Sequence, residues 1–185
     1  QQVSSAASDV YKRQEIGYSV KIKDNFSKAA VDAGYKLNFL EKTGLTIVKD
    51  SENIDRFRGR VIFPIKSMSG RILGFGGRIL GSSKNLAKYI NSPESLIYQK
   101  SKVLYGIYES KQSIVKNDNC FLVEGYTDVI KMHQCGISNV VASSGTALTE
   151  NQIRLINRLT KNITVVFDGD AAGSRAALRL SLIHI

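Results

Sequence analysis

Cysteine is scarce in this chain: Cys120 and Cys135 are the only two, and they do not form a C-x-x-C pair. That spacing gives no zinc site and no disulfide framework of the secreted kind. Each thiol reads as a small apolar residue, one on a strand and one near a helix end. Long apolar runs are missing too. None approaches the roughly 20 residues that cross a bilayer, so no membrane span is expected. The polar start has no apolar core segment, so no signal peptide is read there and the expected address is cytoplasmic. Histidine occurs twice. His133 falls mid-helix and His184 in the tail, and neither completes a Ser-His-Asp or Cys-His set. Only two prolines, with 43% hydrophobic residues, exclude a disordered chain. Nothing repeats internally, and no segment is of low complexity. Acids are the minority, 16 Asp+Glu against 26 Lys+Arg, for a net charge of +10. Such an excess points to a polyanion, and without a membrane span nucleic acid leads.

The 185 residues allow one domain or two small ones. Residues 3–14 and 180–185 resemble translated adapter sequence. A non-native leader over 1–14 and a non-native tail over 180–185 are therefore expected, with the native part a piece of a longer protein. Between them a first subdomain is expected over 15–116 and a second over 117–179, divided by the polar Lys116-Asn117-Asp118-Asn119.

In the first part, the pattern predicts a helix from Asn25 to Gly34 with Phe26, Ala29, Ala30 and Ala33 on one face. A second helical turn over 37–42, a strand over 45–48 and a loop over 49–55 follow. A hairpin then runs from Arg58 to Ile65, turns at 66–70 and returns over 71–75. If Arg56, Arg58 and Arg60 share a strand, all three guanidinium groups project from one face. That stripe is either a solvated edge or a phosphate-binding surface, since Arg matches phosphate geometry bidentately. Gly74-Phe75-Gly76-Gly77-Arg78 lacks nucleotide-fingerprint spacing, and close backbone approach explains its glycines equally well. Residues 84–102 mix Lys88, Lys100 and Lys102 with Tyr89 and Asn91, which suits a solvated loop or a single-stranded nucleic-acid surface.

Beyond a helix at 104–115 the pattern becomes regular. Strands at 120–123, 139–143 and 163–167 alternate with helices at 127–135, 150–159 and from about Ala171. Such alternation indicates βαβ units and a parallel sheet. Thr149 and Gln152 form a capping box. The predicted class is α/β: an α+β first part, then a Rossmann-like parallel sheet with flanking helices, truncated at its end.

Carboxylates follow two of these strands. Cys120-Phe121-Leu122-Val123 leads into Glu124-Gly125-Tyr126-Thr127-Asp128, and Ile163 to Phe167 leads into Asp168-Gly169-Asp170. In a parallel sheet both groups reach the carboxyl edge, where open α/β sheets place ligands. Asp128 and Asp170 could also serve as helix caps. Together, however, these acids repel one another and suit a hard divalent cation, Mg²⁺ or Mn²⁺, with water left for substrate phosphates.

The two acidic motifs resemble those of the TOPRIM fold shared by bacterial primases, topoisomerases and some nucleases. Arg56 to Ile65, Gly74 to Arg78, Lys88-Tyr89-Ile90-Asn91-Ser92-Pro93-Glu94 and Leu104-Tyr105-Gly106 are similar to the DnaG-type bacterial primase. The resemblance implies a DNA-directed RNA polymerase core that makes short RNA primers on single-stranded DNA from ribonucleoside triphosphates. It implies Glu124 as general acid/base, and Asp168 and Asp170 as metal ligands with Asp128 in support. It also implies that Arg56, Arg58, Arg60 and Arg78 guide template. Lys88, Tyr89, Asn91 and Lys100 would handle template or nucleotide. A zinc-binding module and a helicase-interaction domain are not in the chain, so a replicative helicase is expected to bind only elsewhere in a longer protein. The family's further acidic cluster would also lie beyond the end, so the metal site is expected to be incomplete. Two rival readings are a non-catalytic single-stranded DNA-binding fragment and another TOPRIM enzyme, a nuclease or topoisomerase.

Overall fold

The computed structural model describes residues 9–81, 86–143, 148–167 and 169. The chain divides into two compact units, one of 15–64 with 72–99, the other of 1–14, 65–71 and 100–185.

The first unit holds a four-stranded sheet in the order β1 (Gly17–Ser19), β4 (Arg60–Lys66), β5 (Ile72–Ile79), β6 (Tyr89–Asn91). Helices α1 (Asn25–Asp32) and α2 (Leu37–Lys42) precede a hairpin of β2 (Thr46–Lys49) and β3 (Glu52–Asp55). Residues 49–55 are thus not a loop. Asp50 and Ser51 take positive φ of 49° and 64°, the left-handed pair that closes a two-residue hairpin. The buried face of α1 also differs from the apolar face read in the sequence. Ser27 and Ala30 are buried, whereas Phe26, Ala29 and Ala33 are exposed. The reason is a polar anchor. Asp55, only 2% exposed, accepts from Phe26 N at 2.6 Å, Ser27 N at 3.0 Å and Ser27 Oγ at 2.5 Å. A carboxylate there satisfies the free N–H groups of the helix start and complements its dipole.

The second unit is built on a parallel sheet in the order β8 (Val140–Ala142), β7 (Cys120–Val123), β9 (Ile163–Val165). Helices α3 (Ile107–Asn117), α4 (Tyr126–Gln134) and α5 (Glu150–Ile156) alternate with these strands. The core joins Ile107 and Ile114 of α3 to Leu122, Val141 and Ile156. Helix α3 therefore packs with this sheet, so the division of the chain does not fall at 116–117. Gln14, read as leader, is buried, and its side-chain oxygen accepts from the Tyr105 hydroxyl. Burial pushes the Cys120 thiol up to about 12, leaving it an inert core residue.

Among the described residues, no helix is long and apolar enough to cross a membrane.

Candidate functional site

The site begins where β7 ends. Val123 is buried in the sheet, and Glu124 follows it, half-buried, as the chain leaves for α4. Gly125 is extended at φ −130°, and its N–H donates to Asp128 Oδ2 at 2.9 Å. Asp128 thus fastens the first turn of α4 while remaining exposed beside Glu124. On the other side, β9 pairs with β7, and Val166 N donates to Leu122 O at 2.9 Å. The exit of β9 therefore lies at the carboxyl edge from which Glu124 emerges. Asp168 and Asp170 come next in sequence but lie outside the described residues. Among the described residues, no three His, Cys, Asp or Glu side chains cluster as metal ligands. The donors that do reach this edge are carboxylate oxygens, the chemistry that Mg²⁺ and Mn²⁺ prefer.

A basic turn borders the same sheet. Tyr105 N and O each pair with Ala142 at 3.0 Å, an antiparallel bridge on the outer side of β8. Upstream of Tyr105 is a 3₁₀ turn, Lys100–Lys102, with Lys100 half-buried and Lys102 exposed. Tyr105 also stacks edge-on against Tyr126, with ring centroids 4.7 Å apart. Burial, with Glu109 and Tyr126 nearby, raises the Tyr105 phenol far above its ordinary range, so it stays a neutral donor.

The arginines lie in the other unit and do not form the expected stripe. Residues 56–59 are a turn, and β4 begins only at Arg60, so strand alternation does not relate the three. Arg58 is exposed and Arg56 half-buried. Arg60 is 5% exposed and points inward, where its Nη1 donates to Gly77 O at 3.3 Å, Ala87 O at 3.0 Å and Lys88 O at 3.3 Å. Desolvation, aided by Arg58, lowers its pKa without discharging it. The glycines of 74–77 make room for this. A Cβ on Gly77 would meet Phe57 Cδ1 at 2.6 Å, and one on Gly74 would meet the Tyr98 ring at 2.7 Å. Close approach by the chain's own side chains accounts for them.

Arg60→Met is accordingly expected to cost about 2 kcal/mol of stability, the size of lost charge-assisted hydrogen bonds. Urea denaturation would measure it.

Arg78 and Tyr89 are cross-strand partners in β5 and β6, and the guanidinium lies 5.7 Å from the ring centroid. The buried Nε atoms of Arg56 and Arg78 have no hydrogen-bond partner among the described residues. Lys88 and Tyr89 are exposed, and Asn91 is half-buried. One unit therefore gathers Glu124, Asp128 and the Lys100 turn, while Arg56, Arg58, Arg60, Arg78, Lys88, Tyr89 and Asn91 lie in the other. Sequence reading did not single out Gln152 for more than a cap. Its carboxamide also donates to Lys100 O and Val103 O, and no local signal announces that reach.

Comparison with known proteins gives two family matches. Residues 4–111 match the DNA primase catalytic core, N-terminal domain, and residues 119–182 match the Toprim domain. A DNA primase of Halalkalibacterium halodurans is 42% identical over 167 residues, covering 89% of this chain and 28% of its own length. The RNA polymerase domain of Mycobacterium tuberculosis primase DnaG superposes with a TM-score of 0.85 at 33% identity, over 97% of this chain and 64% of that one. A DnaG primase catalytic domain bound to single-stranded DNA gives a TM-score of 0.82 at 39% identity, over 96% and 58%. The chain spans less than a third of the length of such curated relatives.

Proposed function

The chain belongs to the family of bacterial DNA primase catalytic cores, and from that premise we propose that it supplies the polymerase core of a primase. Its reaction is synthesis of short RNA primers on single-stranded DNA by nucleotidyl transfer during replication, in the cytoplasm. The observation that carries this reading is the carboxyl edge of the parallel sheet, where Glu124 emerges beside the exit of β9.

Glu124, with Asp168 and Asp170, would hold Mg²⁺ or Mn²⁺, and Asp128 would keep the first turn of α4 in place. When bound, the cation neutralises charge that develops on the phosphoryl group and orients attacking and leaving oxygens. Glu124 can also take the proton from the attacking primer hydroxyl. Arg56, Arg58 and Arg78 hold template phosphates, and Tyr89 offers a stacking face over Arg78. Lys88, Asn91 and Lys100 handle template or the incoming ribonucleoside triphosphate. Rate would then come from positioning and electrostatics, as in other phosphoryl transfers. A replicative helicase would join through a part of the longer protein outside this chain.

The test is incorporation of labelled ribonucleotides on single-stranded DNA with Mg²⁺ or Mn²⁺. Templated RNA product supports the reading; metal-dependent DNA cutting without product would replace it with a nuclease. Single-stranded DNA binding should weaken steeply with salt, because each phosphate contact releases counterions. Log-affinity against log-salt should have a negative slope that becomes shallower in Arg58→Ala, and an unchanged slope would remove Arg58 from the template surface.

A further inference from the structure

The backbone that carries Lys100 is held by a buried amide that capping alone does not explain. Val123 and Ala142 are level in the parallel register, and Tyr105 pairs antiparallel with Ala142. The antiparallel sense carries residues upstream of Tyr105 past the carboxyl edge, the edge that Glu124 leaves. At that edge α5 begins, and Gln152 in its first turn is 0% exposed.

Every polar atom of this side chain is used. Oε1 accepts from Thr149 N at 3.0 Å, and Nε2 donates to Lys100 O at 3.2 Å and Val103 O at 2.8 Å. Thr149 Oγ1 donates to Ser101 O at 2.6 Å and accepts from Gln152 N at 3.3 Å. Three carbonyls of the four-residue segment 100–103 are thus tied to the head of α5. A capping box needs only the Thr149 and Gln152 exchange. The bonds to residues 100, 101 and 103 instead fix a turn whose side chains include two cations. Groups that bind a reacting ligand need their supporting backbone held to about 0.5 Å, and buried hydrogen bonds do this.

We propose that Gln152, with Thr149, is a positioning residue for the incoming nucleotide. It holds the Lys100–Lys102 turn past the carboxyl edge so that the Lys100 ammonium meets the triphosphate. This rests on the reading of the chain as a primase core in which Lys100 handles a ribonucleoside triphosphate. Glutamate is the diagnostic replacement. Gln152→Glu keeps the acceptor for Thr149 N but has no N–H for the two carbonyls and turns a carboxylate oxygen towards them.

The experiment measures binding of ATP with Mn²⁺, and separately of a single-stranded oligothymidylate, to the 185-residue chain. The variants are Lys100→Ala, Gln152→Glu, Thr149→Val and the doubles with Lys100→Ala, each checked for folding by circular dichroism. Lys100→Ala should weaken ATP binding about tenfold, the scale of one charge-assisted hydrogen bond. Gln152→Glu should approach that loss with oligothymidylate affinity unchanged. In the double variant it should add nothing, because it acts through Lys100. If Gln152→Glu does not fold, the Thr149→Val and Lys100→Ala cycle gives the same decision through the Ser101 bond.

Near-unsubstituted ATP affinity in Gln152→Glu and Thr149→Val, beside a weakened Lys100→Ala, would overturn the positioning role. So would losses that simply add. An unaffected Lys100→Ala would instead remove Lys100 from the nucleotide site, a failure of the underlying reading. Absence of ATP binding by the unsubstituted chain would remove the nucleotide reading and this inference with it.

Discussion

Glu124→Gln should reduce ribonucleotide incorporation by about 10²- to 10⁴-fold, the range for loss of a positioned acid/base group, with further loss from weaker metal binding. The replacement is nearly isosteric and sits at a strand end, half-buried, so the fold should survive. Oligothymidylate affinity should hold within about twofold, because the template contacts are proposed at Arg56, Arg58 and Arg78 and not at this carboxylate. The measurement is single-stranded DNA-templated incorporation beside Mn²⁺ binding. Retained incorporation would detach Glu124 from the chemistry. Lost incorporation with lost DNA binding would point to a folding defect instead.

The second large effect concerns stability. Lys66 Nζ lies 2.9 Å from Glu109 Oε1, with side chains only 5% and 15% exposed. Both belong to the unit that contains the parallel sheet, Lys66 at the end of β4 and Glu109 in the first turn of α3. The turn after β4 is fastened to α3 by neighbouring contacts as well. Lys111 Nζ donates to Met68 O at 2.9 Å and sits 4.4 Å from the Tyr108 ring centroid. Gly70, at φ +86°, lies against that ring, where a Cβ would approach within 2.8 Å.

Removing the carboxylate takes a close counter-charge from a buried Lys66 ammonium, which also lies 5.6 Å from the Tyr108 ring centroid. Glu109→Ala is therefore expected to cost about 3 kcal/mol, a fall in melting temperature of roughly 6–12 °C for a chain of this size. Lys66→Met with Glu109→Leu should recover most of that loss, since apolar residues of similar volume replace a buried pair at little cost. Thermal denaturation of the three proteins decides it. A double variant as unstable as Glu109→Ala would mean that the packing of the turn, not the lost counter-charge, sets the cost.

The βαβ order and the place of Glu124 at a strand end were legible because their signals are local. The four-residue apolar run Cys120 to Val123 and the five-residue segment Ile163-Thr164-Val165-Val166-Phe167 give strands, and strand ends in a parallel sheet share an edge. The Thr149 cap is equally local, an exchange with Gln152 three residues on. The arginines at 56, 58 and 60 show where local reading failed. Alternation in sequence projects side chains together only if the backbone is extended, and residues 56–59 turn instead. Strand β3 was hidden for a related reason. Its residues apart from Ile54 are polar, and pairing with β2 through two positive-φ residues, not an apolar pattern, makes it a strand.

By itself the sequence determined the family, the parallel sheet and Glu124 at the end of its central strand, since motif spacing and hydrophobic period are properties of neighbouring residues. Tertiary structure alone decided the rest. It turned Arg60 inward onto carbonyls 17 to 28 residues away, brought Asp55 to a helix start 28 and 29 residues earlier, and set Gln152 on carbonyls 49 and 52 residues upstream. A buried polar group must find its partners wherever the fold brings them. Over such separations, no local pattern encodes which partner that is.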